Sequence, residues 1–268
     1  MIGIPSYTGS PLPIQQRFAL YAHAGISSLI LWWGKEETAS RAERVETAKK
    51  YALHIEHAHA ATDSLNALWL SGEAGDTVLA ERLEEIEDCA RLGVGTLVLH
   101  LTNGPTPPPV SEIGMERVRQ MTDTAGRLGV RLAFENMRLP AHTVAVLDYF
   151  ALPHVGLCYD SGHEHLWTPS TDWLTLYSRR IFAIHLHDNN RDADAHNLPF
   201  DGGIDWKNKT HAIAAASYRG SVTVEAEYRC GGIYEVLGLS GFLKKARQSG
   251  ECLNAMIEKH RNSLQKNK

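Results

Sequence analysis

Fourteen histidines are spread over the 268 residues of this chain. Several of them, together with carboxylates, stand at the ends of short apolar runs: His59, His100, Glu135, Asp160 with His163, His185 with Asp194 and His196, and Glu225. Each offers a lone pair to a divalent cation, and such mixed sets suit different ions. Glu135, Asp160, His185 and Glu225 form a hard, oxygen-rich group with one imidazole, fitted to Mn or Mg, whereas the added histidines lean toward Zn. Taken singly, a histidine near a strand end is more simply a hydrogen-bonded core or surface residue, and a glutamate there is more simply solvated. Four coincident groups on four separate runs point elsewhere, because each would be costly to bury alone and all are satisfied around one cation. His57 and His187 lie two residues from His59 and His185, so a strand would turn them the same way, as weaker candidates. Glu227 bears the same relation to Glu225 and should lie past the strand end.

These residues need elements that bring them together. Short β-rich runs alternate with helical spacing along the whole chain. The expected strands are Ile2–Pro5, Ser28–Trp32, His54–Ala58, Thr96–Leu101, Arg131–Glu135, Val155–Tyr159, Ile181–Leu186 and Ser221–Glu225. Helical spacing fills Val78–Leu92, where Val78, Leu79, Leu83, Ile86 and Ala90 share a face. It also fills Glu36–Tyr51, Ser111–Leu128, Thr143–Phe150, Trp173–Tyr177, Trp206–Ala216 and Phe242–Leu264, with a solvated tail at Gln265–Lys268. Strict alternation implies parallel strands with right-handed crossovers. Eight such units in this length predict an α/β fold of one (β/α)8 TIM barrel, residues 1–268 forming a single domain. A doubly wound open sheet would carry a glycine-rich phosphate turn after its first strand, and Ser6-Tyr7-Thr8-Gly9-Ser10 is not one. In a barrel the C-terminal strand ends ring one mouth, so residues far apart in sequence converge on one volume. The stiff Gly104–Pro109 loop ends at Ser111, an expected N-cap. Trp32, Trp33 and Trp69 are equally suited to an apolar wall for a sugar face or to core packing.

Composition sets further bounds. Hydrophobic residues make up 43% and charged residues 22%, as in ordinary globular proteins, and the formal net charge of −4 provides no basic excess to hold a polyanion. Cys89, Cys158, Cys230 and Cys252 lie far apart with no Cys-x-x-Cys pair, which argues for reduced, mostly buried thiols in the cytoplasm rather than a disulfide framework. Met1–Pro5 has neither a charged n-region nor a long apolar stretch, so no signal peptide is expected. No apolar run is long enough for a membrane span.

From Ile2 to Tyr228 the chain resembles the xylose-isomerase-like superfamily of sugar isomerases, sugar epimerases and endonuclease IV enzymes. The stretches that carry the resemblance are Ala133-Phe134-Glu135-Asn136, Tyr159-Asp160-Ser161-Gly162-His163, Ile184-His185-Leu186-His187-Asp188-Asn189 and Val222-Thr223-Val224-Glu225. Similarity to the ketose 3-epimerases implies one metal, often manganese, on Glu135, Asp160, His185 and Glu225. It also implies that His163 and Arg191 hold substrate oxygens. Glu135 and Glu225 would then be the two carboxylates that move a proton through an enediolate, and the substrate would be a small sugar or sugar phosphate.

Similarity to endonuclease IV implies instead a zinc phosphodiesterase acting on abasic DNA. Its ligands would be His59, His100, Glu135, Asp160, His163, His185, Asp194, His196 and Glu225, with Asp194-Ala195-His196 the discriminating piece. The chain departs from that branch: Ile4-Pro5-Ser6-Tyr7 replaces its glycine-rich N-terminal motif, and no run of Lys or Arg marks the strand-end loops, so nucleic acid is not the expected partner. Phe200-Asp201-Gly202-Gly203-Ile204-Asp205-Trp206 resembles a loop of bacterial sugar phosphate isomerase/epimerase proteins. The expectation is an isomerase or epimerase using a divalent metal (Mn, Mg or Zn), with His59, His100, Asp194 and His196 binding a further ion or lining the pocket. A barrel that binds sugar or metal without turnover is the non-catalytic alternative, and retention of both glutamates speaks against it. Homodimerisation, common in such barrels, is left open by the sequence.

Overall fold

The computed structural model describes residues 1–35, 38–228 and 232–266. Eight parallel strands alternate with helices: β1 Ile2–Pro5, β2 Ser28–Trp32, β3 His54–His59, β4 Thr96–Leu99, β5 Arg131–Glu135, β6 Val155–Asp160, β7 Ile181–His185 and β8 Val222–Thr223. Their lateral order is β7-β6-β5-β4-β3-β2-β1-β8. A parallel bridge between Leu186 and Val224 joins β7 to β8 and closes the cylinder. The expected (β/α)8 TIM barrel is therefore the fold. All eight expected strands coincide with observed ones, and only their ends move. The fourth ladder stops at Leu99 rather than Leu101, which leaves His100 on the rim, and β8 is cut to two residues before the bridge.

The crossovers are α1 Ile14–His23, α2 Arg41–Lys50, α3 Glu73–Leu92, α4 Glu112–Leu128, α5 Pro140–Tyr149, α6 Ser161–Trp167, α7 Trp173–Leu176 and α8 Trp206–Ala215, followed by α9 Gly238–Lys266. Helix α2 begins at Arg41 because Ser40 and Glu43 form a reciprocal capping box. The first two residues of the helix expected from Glu36 lie outside the described residues. Helices α1 and α6 were not part of the expected set. The buried face of α1 is Arg17, Phe18 and Tyr21, and a guanidinium among aromatics breaks the apolar stripe that spacing rules detect. No described helix is long and apolar enough to cross a membrane. Cys89 and Cys158 are buried, Cys252 is exposed, and Cys230 lies outside the described residues.

Strand alternation sorts the side chains. Leu132, Phe134, Leu157, Tyr159 and Ile184 belong to the main core between strands and helices. Their neighbours Val98, Ala133, Cys158 and Ala183 form a separate small cluster inside the cylinder. Positions two residues beyond that inner cluster, on the same side of each strand, are His100, Glu135, Asp160 and His185. The alternation that keeps apolar groups on the helix side thus lifts the ligand-type residues onto the inner rim.

Ser111 caps α4 as expected: its hydroxyl accepts from Gly114 N at 3.2 Å and donates to Trp69 O at 2.7 Å. A Cβ on Gly114 would meet the buried Trp69 ring at 2.2 Å. Gly114→Ala should therefore lower stability by about 1–3 kcal/mol through overpacking. Urea unfolding measures this, and an unchanged midpoint would show that the ring can retreat without cost.

Candidate metal centre at the mouth of the barrel

At the C-terminal end of the barrel opens a cavity of about 440 Å³, bounded by His59, His100, Glu135, His163, Asp194, His196 and Glu225 together with Trp32, Trp167 and Arg138. Glu135 stands at its centre. One carboxylate oxygen lies 3.4 Å from His59 Nε2, 3.2 Å from His100 Nε2 and 3.3 Å from His185 Nδ1, and the other lies 3.2 Å from His163 Nδ1. His185 Nδ1 is also 3.2 Å from Glu225 Oε1. Asp160 Oδ1 accepts from His163 N at 2.6 Å, which starts α6, and lies 3.1 Å from His187 Nε2. Asp194 closes the far side, 3.4 Å from His163 Nε2, 3.6 Å from His196 Nε2 and 3.8 Å from His187 Nε2.

Among the described residues three sets of donors gather within 4.8 Å: Glu135, Asp160, His185 and Glu225; His59, Glu135 and His185; and His163, His187, Asp194 and His196. His187, a weaker candidate by sequence, joins the third set. His57 belongs to none of these sets; its Nε2 lies 2.9 Å from His185 Nε2. Glu227 lies past β8 on the cavity wall.

Arg191 does not join the gathering. It is exposed on the loop after β7, with its backbone in the left-handed region at φ 66° and its N–H donated to Asn189 Oδ1 at 3.0 Å. Among the described residues the guanidinium on the cavity wall is that of Arg138, 4.5 Å over the Trp167 ring, which itself stacks on His163 at 4.6 Å. Of the three tryptophans named from sequence, Trp32 lines the cavity. Trp33 and Trp69 are core, the latter donating to Leu101 O at 2.7 Å.

Residues 18–256 match the family described as the xylose isomerase-like TIM barrel, most of the chain. This chain is a xylose isomerase-like TIM barrel protein. The uncharacterized protein y4fM of Sinorhizobium fredii (strain NBRC 101917 / NGR234) is 47% identical over 72 residues, 26% of this chain and 23% of that protein's length. Among solved structures, a D-psicose 3-epimerase with D-tagatose from Clostridium cellulolyticum H10 superposes with a TM-score of 0.79 at 14% identity, covering 96% of this chain and 99% of that one. The IOLI protein with a zinc atom gives a TM-score of 0.74 at 18% identity, covering 97% and 98%. At such identities the likeness concerns the fold.

Within this xylose isomerase-like barrel, the surroundings of the donors suit a cation. His59 donates through Nδ1 to Ala60 O at 2.8 Å, His163 to Asn136 O at 3.1 Å and His196 to Glu225 O at 2.9 Å, so each imidazole turns its Nε2 lone pair inward. These tautomers follow from the carbonyl partners. Asp160 Oδ2, Asp194 Oδ1, His185 Nδ1 and His187 Nε2 are buried without an aligned hydrogen bond, although opposite atoms lie close. Lone pairs that converge without sharing protons are the arrangement that a positive ion completes.

Charge follows the same geometry. Burial alone would raise Glu135, but His185 and His100 outweigh it and hold its carboxyl well below the ordinary range. Burial is also overcome at Asp160, drawn down to about 2 by His163 and His187. Glu225 goes the other way: burial, then Glu135 and Asp160, push it well above the usual value. Two like carboxylates in one desolvated site are driven apart in this manner. Burial lowers His57, His100 and His187, whereas Asp160 and Asp194 carry His163 upward against it.

Asp188 enters the sequence reading only as part of the Ile184–Asn189 stretch, which assigns it no role. Fully buried, its carboxylate accepts from Asn189 N (3.0 Å), Phe200 N (3.1 Å), Ile204 N (3.1 Å) and Trp206 Nε1 (2.8 Å). A Cβ on Gly202 would come within 2.3 Å of it, so the Phe200–Trp206 loop wraps this acid only with glycine there. Backbone bonds between Asp188 and Asn197 then pin the segment that presents Asp194 and His196.

Proposed function

We propose that this chain, as one barrel domain over residues 1–268, is a divalent-metal-dependent isomerase or epimerase acting on a small polyhydroxylated carbonyl compound such as a sugar or sugar phosphate. The observation that carries the reading is the convergence of Glu135, Asp160, His185 and Glu225, one ligand atom each within 4.8 Å, with Glu135 and Glu225 lining the cavity. Their donor chemistry, three carboxylates and one imidazole, suits Mn or Mg. When bound, such an ion supplies Lewis acidity to a substrate carbonyl. Glu225 and Glu135 then serve as the proton-moving pair: one takes the proton from the carbon beside the carbonyl, the C–H electrons pass into an enediolate, and a proton returns to give the isomer or epimer. His163, at the cavity wall, orients a substrate oxygen, and the Trp32 and Trp167 rings offer apolar faces to a sugar. Supporting the reading, proteins of the same fold include the D-psicose 3-epimerase with D-tagatose and the zinc-containing IOLI protein.

The other two gatherings favour room for a further ion, with zinc suited to His163, His187, Asp194 and His196. A DNA-cleaving role is less well supported. Four carboxylates (Glu135, Asp194, Glu225 and Glu227) face the cavity, and Arg138 is the one Lys or Arg among the described lining residues. Phosphodiester grip needs several such cations.

Elemental analysis with turnover assays tests the proposal. One or two divalent ions per chain and interconversion of ketoses are expected. Three zincs with cleavage of abasic-site DNA, or no retained metal and no sugar turnover, would overturn it. Metal uptake should also release protons, because burial beside Glu135 and Asp160 raises the proton affinity of Glu225 in the metal-free protein. Affinity for Mn2+ should accordingly rise with pH until Glu225 ionises unaided. Calorimetric titration in buffers of differing ionisation enthalpy reads the proton count, and a pH-independent affinity would contradict the assignment.

A further inference from the structure

His57 is fully buried on β3, the strand diametrically opposite β7 in the eight-stranded cylinder. It reaches across the barrel axis: its Nε2 lies 2.9 Å from Nε2 of His185, with the two rings stacked at 5.1 Å and 27°. One hydrogen occupies an N···N line of that length, so one ring donates and the other accepts. The opposite edge of His185 decides which. Its Nδ1 faces Glu135 Oε2 at 3.3 Å and Glu225 Oε1 at 3.2 Å without an aligned hydrogen bond. An imidazole that gives its Nδ1 lone pair to a cation keeps its proton on Nε2. The other rim imidazoles with a fixed tautomer, His59, His163 and His196, donate through Nδ1 to backbone carbonyls and present Nε2. His185 is turned the other way round, and among the described residues His57 is the one hydrogen-bond partner of its ring.

The geometry points to His57 as a positioning residue for His185: its Nε2 lone pair accepts the Nε2–H of His185 and so fixes the tautomer and ring angle that aim Nδ1 at Glu135 and Glu225. This rests on the metal-binding reading above. The proton of His57 then sits on Nδ1, which is buried without a partner among the described residues. The pairing thus leaves one polar atom unsatisfied in order to hold the ligand.

Binding of Mn2+ and Zn2+ to the full-length, metal-stripped chain tests the inference by titration calorimetry. His57→Phe keeps the ring volume and removes the acceptor, and should weaken metal binding by about 10- to 100-fold, the usual effect of losing such a partner. His57→Gln, whose amide oxygen can accept the same N–H, should recover most of that loss, which simple filling of the space would not predict. Wild-type affinity in both variants would overturn the role of His57 while leaving the metal site standing. A wild-type chain that binds neither ion would overturn both. Should His57→Phe fail to fold, histidine nitrogen NMR of the Zn2+-loaded wild type reads the point directly. Expected is His185 protonated at Nε2 and coupled to His57, and a His185 protonated at Nδ1 would end the proposal.

Discussion

Glu225→Gln should lower ketose turnover by about 100- to 10,000-fold, the span over which a positioned proton-transfer group acts. The substitution is nearly isosteric and removes the ability to take a proton. Glu225 is the carboxyl of the site that burial, Glu135 and Asp160 push upward, whereas Glu135 is held down by its imidazoles. Two acids with opposed proton affinities facing one cavity are a natural donor–acceptor pair. With Mn2+ held saturating, so that the weaker grip of an amide on the ion is made good, the loss should fall in kcat with KM nearly constant, because the carboxylate acts on the reacting carbon rather than on the distant hydroxyls. Solvent deuterium incorporation next to the carbonyl provides the second readout and should disappear in parallel. A variant that retains kcat within a small factor would remove Glu225 from the chemistry.

Glu135→Ala should cost both the ions and stability. The carboxylate is 1% exposed and lies within 3.4 Å of His59, His100, His163 and His185, and it belongs to two of the three donor sets. Metal content should therefore collapse, with turnover lost along with it. Removing one member of a buried charged network leaves the remainder uncompensated, and the metal-free variant should be less stable by roughly 3–5 kcal/mol. Because Glu135 is held below its ordinary value in the folded chain, this contribution is fully present above the unfolded value of about 4.3 and fades as pH falls toward the folded one. Urea unfolding with chelator, at neutral and acidic pH, measures both magnitude and sign. Equal stability of variant and wild type at neutral pH would mean that the imidazoles carry no charge worth balancing.

How far these features were legible depends on whether a neighbour in sequence or a neighbour in space determines them. The strands were legible because parallel strands are buried on both faces and read as continuous apolar runs. Glu135, Asp160, His185 and Glu225 were legible because each closes such a run, and alternation then predicts that His57 and His59 face the same way, as they do. What His57 meets was not legible, since its partner lies 128 positions away across the barrel. Arg191 illustrates the opposite limit. The resemblance to ketose 3-epimerases implies that it holds a substrate oxygen, but the Asp188–Asn197 bonds turn the intervening loop and Arg191 is exposed. Arg138 and Trp167 carry no local signal at all: they become cavity walls only because the loop after β5 meets helix α6.

The cylinder is not equally fastened around its circumference. Between β7 and β8 the junction is a single parallel bridge, Leu186 with Val224, whereas β5 and β6 share a four-residue ladder. His185 and Glu225 sit on either bank of that thin seam. An ion gripped by both would act as a rivet across it, adding to folding in proportion to its concentration and affinity. Endurance on warming would then follow the supply of dissolved mineral around the molecule, with unzipping beginning at this one edge when that supply runs low.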